Sequence, residues 1–176
     1  ATVFGVISQS EGAIDVIYNG VVADPVAPQA GEPLRRHWHI PAGTCVVLFA
    51  GRLVDVKDVP TLLRAMARLR EKRRSVVLVI AGDGPLRAAL ESQAESLGLG
   101  DGVRFLGQRD DVGALIDAAD VVVLPSRRED LSNVVLEGML GARPVVASRA
   151  GGNVELVDDD RTGALFEVGG QYRRNM

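Results

Sequence analysis

Two groups of residues in this chain have the types and spacing to hold a phosphorylated, hydroxyl-bearing ligand. In the first, Gly51-Arg52-Leu53 is followed five residues past the arginine by Lys57. A guanidinium offers phosphate a fork of N–H groups and an ammonium offers a point charge, while a glycine lets backbone approach a ligand closely. Taken alone, the two cations also suit an ordinary basic surface pair. Eighteen of the twenty basic residues are Arg, and only Lys57 and Lys72 are Lys, which draws attention to Lys57. Lys72 lies in Glu71-Lys72-Arg73-Arg74 and reads as a solvated helix end. In the second group, Glu129 and Glu137 stand eight positions apart around Leu131-Ser132-Asn133-Val134. Ser132 or Asn133 can cap a helix that starts there, and the free N–H groups behind the cap form an anion site. A carboxylate near such a start can accept two sugar or ribose hydroxyls. Helix capping and a solvated face are the plainer reading of two glutamates at this spacing.

These residues need elements to carry them. The apolar runs Val46 to Ala50, Val76 to Ala81, Val103 to Leu106, Val121 to Leu124 and Pro144 to Ser148 are too short for helices and are bounded by Gly, Pro or Asp. Their nearly continuous hydrophobicity suits parallel strands covered on both faces. Between them, Val59, Leu62, Leu63, Met66 and Leu69 fall at helical spacing, as do Leu86, Leu90, Ala94 and Leu97, closed by Gly98 and Gly100. Leu115, Ile116 and Ala119 mark a third helix, and Val135, Leu136, Met139 and Leu140 a fourth. Pro85 suits the first turn of the Leu86 helix. Ala13 to Tyr18 reads as an extra strand, Gly163 to Val168 as a short closing one, and Val22 to Pro33 as a loop. Repeated strand–helix–strand units imply right-handed crossovers. An eightfold barrel needs about 250 residues, so the fold class expected is α/β: a doubly wound, mostly parallel sheet of about six strands. In such a sheet ligands sit beyond the carboxyl ends of the strands, where both groups fall.

Two further loops lie at the same end. Gly82-Asp83-Gly84-Pro85 follows the second strand, but Arg87 stands where a dinucleotide fingerprint needs its third glycine, so a nicotinamide oxidoreductase is poorly supported. Ala150-Gly151-Gly152-Asn153, then Glu155, reads as a loop leading into a helix. No G-x-x-x-x-G-K-[ST] sequence occurs, which removes a P-loop NTPase.

Composition narrows the classes further. With 176 residues the chain has room for one ordinary domain. A net charge of -3 argues against nucleic acid or an anionic membrane as partner. Aromatic residues at 4% leave few stacking platforms for single strands. The longest apolar runs are far below the roughly 20 residues that span a bilayer. One cysteine, Cys45, cannot form an internal disulfide and reads as a small core residue, compatible with a cytoplasmic location. His37 and His39 have no partner at metal spacing, and Asp158-Asp159-Asp160 reads as a solvated turn; no metal or other cofactor is expected.

The motifs also have an order. Val16-Ile17-Tyr18-Asn19-Gly20, Gly51-Arg52-Leu53 with Lys57, Gly82-Asp83-Gly84-Pro85, Pro125-Ser126, Glu129 through Glu137, Pro144-Val145-Val146-Ala147 and Gly151-Gly152 with Glu155 follow one another in register. That series resembles the C-terminal domain of the group 1 retaining glycosyltransferases, the two-domain GT-B architecture, from roughly Asp15 to Val168. The resemblance implies a Rossmann-like nucleotide-sugar domain over residues 15–168, with 1–14 a lead-in from an N-terminal acceptor domain and 169–176 a tail. It implies that Gly51, Arg52 and Lys57 hold the donor pyrophosphate, with Gly82 close by. Glu129 would lie at the donor sugar and Glu137 at the ribose. Backbone amides of Leu131, Ser132, Asn133 and Val134 would approach the phosphates, and Gln108 and Arg109 would wall the base. Catalytic roles would fall to Glu129, Arg52 and Lys57, in transfer with retention from a nucleotide-sugar to an acceptor held by the other domain. The partners implied are thus the donor and that N-terminal domain, with no nucleic acid and no membrane insertion. Asp130 replaces the usual Gly after the first Glu, and Gly138 a usual Ala after the second. A non-catalytic nucleotide-sugar binding module and a sugar-nucleotide 2-epimerase-like domain are the alternatives.

Overall fold

A computed structural model of the chain describes residues 9–10, 13–14, 20–21 and 30–169. Short strands β1 (Gln9–Ser10) and β2 (Ala13–Ile14) pair antiparallel; the rest of the strand expected over Ala13 to Tyr18, and Val16 to Asn19 of the first motif, lie outside the described residues. The domain proper runs α1 (Gly31–His37), β3 (Cys45–Ala50), α2 (Val59–Lys72), β4 (Val76–Ala81), α3 (Arg87–Ser96), β5 (Val103–Gly107), α4 (Val112–Ala118) and β6 (Val121–Leu124). It continues through α5 (Asn133–Leu140), β7 (Val145–Ser148), α6 (Asn153–Leu156) and β8 (Gly163–Phe166).

Six strands form one all-parallel sheet in the order β5-β4-β3-β6-β7-β8. All five apolar runs read as strands are strands; in the inner ones side chains on both faces are covered, and Leu48, Phe49, Leu78, Ile80, Val122 and Leu124 are essentially inaccessible, whereas β5 at the edge is half-buried along its length. Leu63 and Met66 of α2, Leu90 of α3, Leu115 and Ile116 of α4 and Val135 of α5 complete the core. Leu97 caps α3 and is followed by Gly98 at φ +66, the left-handed stop expected there. Pro85 departs slightly from expectation, since it stands in the turn two residues ahead of Arg87, not inside the helix.

The loop expected over Val22 to Pro33 is corrected at its end. Residues 22–29 lie outside the described residues, but Gly31, Glu32 and Pro33 open α1. Proline is tolerated in a first turn because its missing N–H has no intrahelical acceptor there. The helix is fixed from outside: the Gly31 amide donates to Asp117 Oδ2 at 2.8 Å, and Arg35 donates to the Ala118 carbonyl and Asp120 Oδ2, each at 2.7 Å. A β-carbon on Gly31 would sit 2.2 Å from the backbone of Ala118, so glycine is what lets α1 lie directly on α4.

Strand order positions the site. The chain builds β3, β4 and β5 outward in one direction, then returns to place β6 on the other side of β3. The loops after β3 and β6 therefore diverge at the reversal, which is where an open α/β sheet leaves a crevice. The recorded β3–β6 ladder covers only Val47 with Val121 and Leu48 with Val122, so the carboxyl-terminal residues of both strands lie past it.

Candidate functional site

At that crevice lies a cleft of about 690 Å³. Gly51, Arg52 and Lys57 line it from the β3 side and Gly82 from the end of β4. Gln108 and Arg109 enter from the end of β5, and Glu129, Leu131, Ser132, Asn133, Val134 and Glu137 from the β6–α5 segment. The structure thus brings all twelve residues expected to contact the donor to one wall or another of the same cleft. Asp83 and Val112 also line the cleft, although the sequence gave neither of them a role in a site.

The β3 and β4 walls are laced by backbone. Gly51 N–H donates to the Ala81 carbonyl at 2.9 Å, Gly82 N–H to Gly107 at 2.7 Å, and Leu53 N–H to Asp83 at 2.9 Å. Gly82 has φ +134, and a β-carbon there would lie 1.9 Å from the Gly51 carbonyl oxygen. Only glycine permits this approach, which keeps the floor of the cleft made of backbone. Arg52 is exposed and makes no side-chain hydrogen bond or ion pair among the described residues, so its donors are free for a ligand.

Lys57 ends a single 3₁₀ turn, Asp55–Lys57, whose exit residue Asp58 takes a left-handed conformation at φ 46. The turn is held from behind by Arg127, a residue the sequence reading gave no role. Its amide donates to the Val56 carbonyl at 2.8 Å, and its guanidinium reaches Asp55 Oδ2 at 3.1 Å and the buried Asp58 Oδ1 at 3.2 Å. Arg127 thereby fastens the β6 loop to the β3 loop, 69 to 72 positions away. On the cleft side of the same junction the Lys57 ammonium pairs with Glu129 Oε1. The side chains of this pair are only 22% and 10% exposed, so the ion pair is partly withdrawn from water.

Glu129 has two further supports. Ser126 Oγ donates to the same Oε1 at 2.7 Å. Behind the loop, Gly152 N–H donates to the Asp130 carbonyl at 2.7 Å. A β-carbon on Gly151 would lie 1.5 Å from the Glu129 carbonyl oxygen. The Gly151-Gly152 pair is thus a close seat for the backbone that presents Glu129, whereas Glu155 is exposed and lies off the cleft. Asp130, one of the two departures from the family pattern, is also exposed and does not line the cleft.

Ser132 takes the N-cap position of α5 in an extended conformation, without a side-chain cap bond. The first amides of the helix, which have no intrahelical acceptor, consequently face the cleft without a side-chain acceptor. The Asn133 Oδ1 atom is buried with no hydrogen-bond partner. Glu137 stands one turn in. Burial pushes its carboxyl above the ordinary glutamate value, and no donor reaches it among the described residues. Across the cleft Arg109 forks onto Asp111, with contacts of 2.8 and 2.6 Å. The fork holds the Asp111 carboxyl below its usual value and raises the guanidinium further. Cys45 lies at the opposite, amino end of its strand; burial raises its thiol, as suits a packing residue. Among the described residues no three of His, Cys, Asp and Glu gather as a metal site.

The arrangement sorts charge: cations and open amides lie at the sheet reversal, with one carboxylate on each side of the helix start. A diphosphate fits the first and hydroxyl groups fit the second. Comparison with known proteins agrees with this chemistry. Residues 44–171, from just before β3 to beyond β8, match the family described as Glycosyl transferases group 1. The chain belongs to this family.

Two curated relatives of this glycosyltransferase domain illustrate its range. It is 38% identical over 129 residues to the lipopolysaccharide core biosynthesis glycosyltransferase LpsE of Rhizobium meliloti, covering 73% of this chain and 37% of that protein. It is 34% identical over 166 residues to the D-inositol 3-phosphate glycosyltransferase of Corynebacterium kroppenstedtii, covering 88% and 37%. Among solved structures, that of Anabaena Alr3699/HepE in complex with UDP and glucose superposes with a TM-score of 0.81 at 33% identity, over 88% of this chain and 43% of that one. The chain therefore spans about two fifths of the length of these relatives. Among the described residues no helix is long and apolar enough to cross a membrane.

Proposed function

We propose that this chain is the donor-binding domain of a glycosyltransferase that moves a sugar from a nucleotide-sugar to an acceptor with retention of configuration. The observation that carries the reading is the cleft at the strand reversal, which combines Arg52, Lys57 and the open start of α5 with Glu129 and Glu137. Arg52, Lys57 and the first amides of α5 hold the diphosphate and stabilise the charge that develops on it as the glycosidic bond breaks. Charge-assisted contacts contribute about 1.5–3 kcal/mol each, so three of them supply several kcal/mol without a metal ion or other cofactor. Glu137 accepts the ribose hydroxyls and Glu129 those of the sugar, while Gln108 and Arg109 flank the base. The acceptor is carried by a second domain of the same polypeptide. The complex of Alr3699/HepE with UDP and glucose supports a nucleotide-sugar as ligand class.

Thermal melting with UDP, GDP and ADP compounds tests this reading. A nucleotide at 100 times its Kd stabilises the domain by about 2.7 kcal/mol, which corresponds to a melting shift of several degrees for a domain of this size. Absence of any shift at millimolar concentration of all three series would overturn the assignment.

A further inference from the structure

Glu129 is the end of a buried relay that starts at the first residue of α6, beyond the carboxyl end of β7. Three of the buried polar residues of the domain belong to it: Ser126, Ser148 and Asn153, all with 0% exposure. Asn153, the first residue of α6, donates its side-chain amide to the Ser148 carbonyl at 3.1 Å. Ser148, the last residue of β7, donates its hydroxyl to the Ser126 carbonyl. Ser126, two residues past β6, donates its hydroxyl to Glu129 Oε1. A serine hydroxyl has one proton to give, and at Ser126 that proton goes to the carboxylate that faces the cleft. A buried hydroxyl turned toward a neighbouring backbone carbonyl would satisfy itself equally well, so its direction is informative.

Oε1 of Glu129 receives both the Ser126 hydroxyl and the Lys57 ammonium, whereas Oε2 receives no donor among the described residues. The carboxylate is therefore held in one orientation with one oxygen saturated and the other presented to the cleft. We infer that Ser126 is a positioning residue, which sets the Glu129 carboxylate so that a single oxygen, Oε2, meets hydroxyls of the donor's sugar. This rests on the donor-site reading above and adds to it a determinant of sugar affinity that does not touch the sugar. Loss of the hydroxyl leaves Glu129 with Lys57 alone, free to swing about the ammonium, and the sugar loses a preorganised acceptor.

The test measures dissociation constants for three matched pairs, UDP-glucose with UDP, GDP-mannose with GDP and ADP-glucose with ADP, on the wild-type chain and on Ser126→Ala. For the pair that wild type binds, Ser126→Ala weakens the nucleotide-sugar about fivefold to tenfold and the bare nucleotide less than twofold. Added to Glu129→Ala, the same substitution changes the ratio no further, because Ser126 acts only through that carboxylate. Equal losses for both ligands, an unchanged ratio, or a full effect in the Glu129→Ala background would each overturn the positioning role while leaving the donor site standing. Binding of none of the pairs by wild type would overturn both. If Ser126→Ala does not fold, Ser126→Cys, with nearly the same volume and a much weaker donor, takes its place. Failure of both to fold would show that Ser126 is structural and sink the proposal.

Discussion

Burial holds the Glu137 carboxyl above its ordinary value, and among the described residues no hydrogen-bond donor offsets that burial. Most other charges at the cleft are paired: Lys57 and Glu129 hold each other and Arg109 is forked onto Asp111, while Arg52 has no partner among the described residues. On the proposed reading Glu137 accepts hydroxyl groups, and its burial acts on stability with a definite sign. A carboxyl whose folded pKa lies above its unfolded value favours the fold while protonated, and that contribution is lost as pH rises through the folded pKa. At neutral pH the ionised group consequently weighs against the domain. Glu137→Gln should raise the melting temperature of the unliganded domain at pH 7, and the gain over wild type should shrink as pH falls through the carboxyl range. Nucleotide affinity should move the other way. Ribose hydroxyls favour the ionised carboxylate, so binding releases a proton and weakens as pH drops, and Glu137→Gln should flatten that dependence. Calorimetric titration in two buffers of different ionisation heat reads the proton directly; zero release near the carboxyl range would place the ribose elsewhere.

At the scale of elements, the loop that carries Glu129 is shaped from behind by a residue that never meets a ligand. Gly151 has φ +50, and its missing β-carbon is what lets the Glu129 carbonyl approach. Gly98 has a similar φ of +66 with open space around it. An alanine in the left-handed conformation costs about 1–2 kcal/mol, and Gly98→Ala should show that cost alone in urea unfolding. Gly151→Ala must also push the Glu129 loop away, so it should destabilise more and weaken nucleotide-sugar binding as well. Equal losses for the two, with binding intact, would show that α6 does not seat the loop. This seat marks a limit of what the chain displays before it is folded. Val76 to Ala81 is readable as a strand because continuous apolar residues are what a doubly covered parallel strand requires. Gly151-Gly152 is readable as a turn, but not as the support of a segment twenty-odd positions earlier. Glu129 and Glu137 share a helix start and could be placed in one crevice from their spacing. Lys57 joins Glu129 across 72 positions, and Arg127 clamps Asp58 across 69; no local pattern announces such pairs. Helix α1 was hidden for another reason, since Gly31 and Pro33 are poor helix formers and the element is fixed by Asp117, Ala118 and Asp120 of distant segments.

At the scale of the molecule, the segments that follow β3, β4, β5 and β6 bring their chemistry to one end of the six-stranded sheet. The reversal between β3 and β6 opens the cleft, α5 aims its amino end into it, and the β3–β4 and β6–β7 loops carry the charges. Sugar transfer needs donor and acceptor held within reaction distance, and effective molarity from such holding is worth about 7–11 kcal/mol in well-oriented cases. The chain spans about two fifths of its relatives' length, and on the proposed reading it supplies the donor half of that arrangement. The 176-residue chain should therefore bind a nucleotide-sugar with modest affinity and transfer sugar to no acceptor at a detectable rate, while slow hydrolysis of the donor by water in the open cleft remains accessible to it. The measurement is a mass-spectrometric assay with the nucleotide-sugar that stabilises the chain most and a panel of sugar, polyol and lipid-linked acceptors, with free sugar and glycosylated product counted separately. Multiple turnovers of product from this chain alone would mean that the acceptor site is built from the same domain, and the division of labour proposed for the two domains would have to be abandoned.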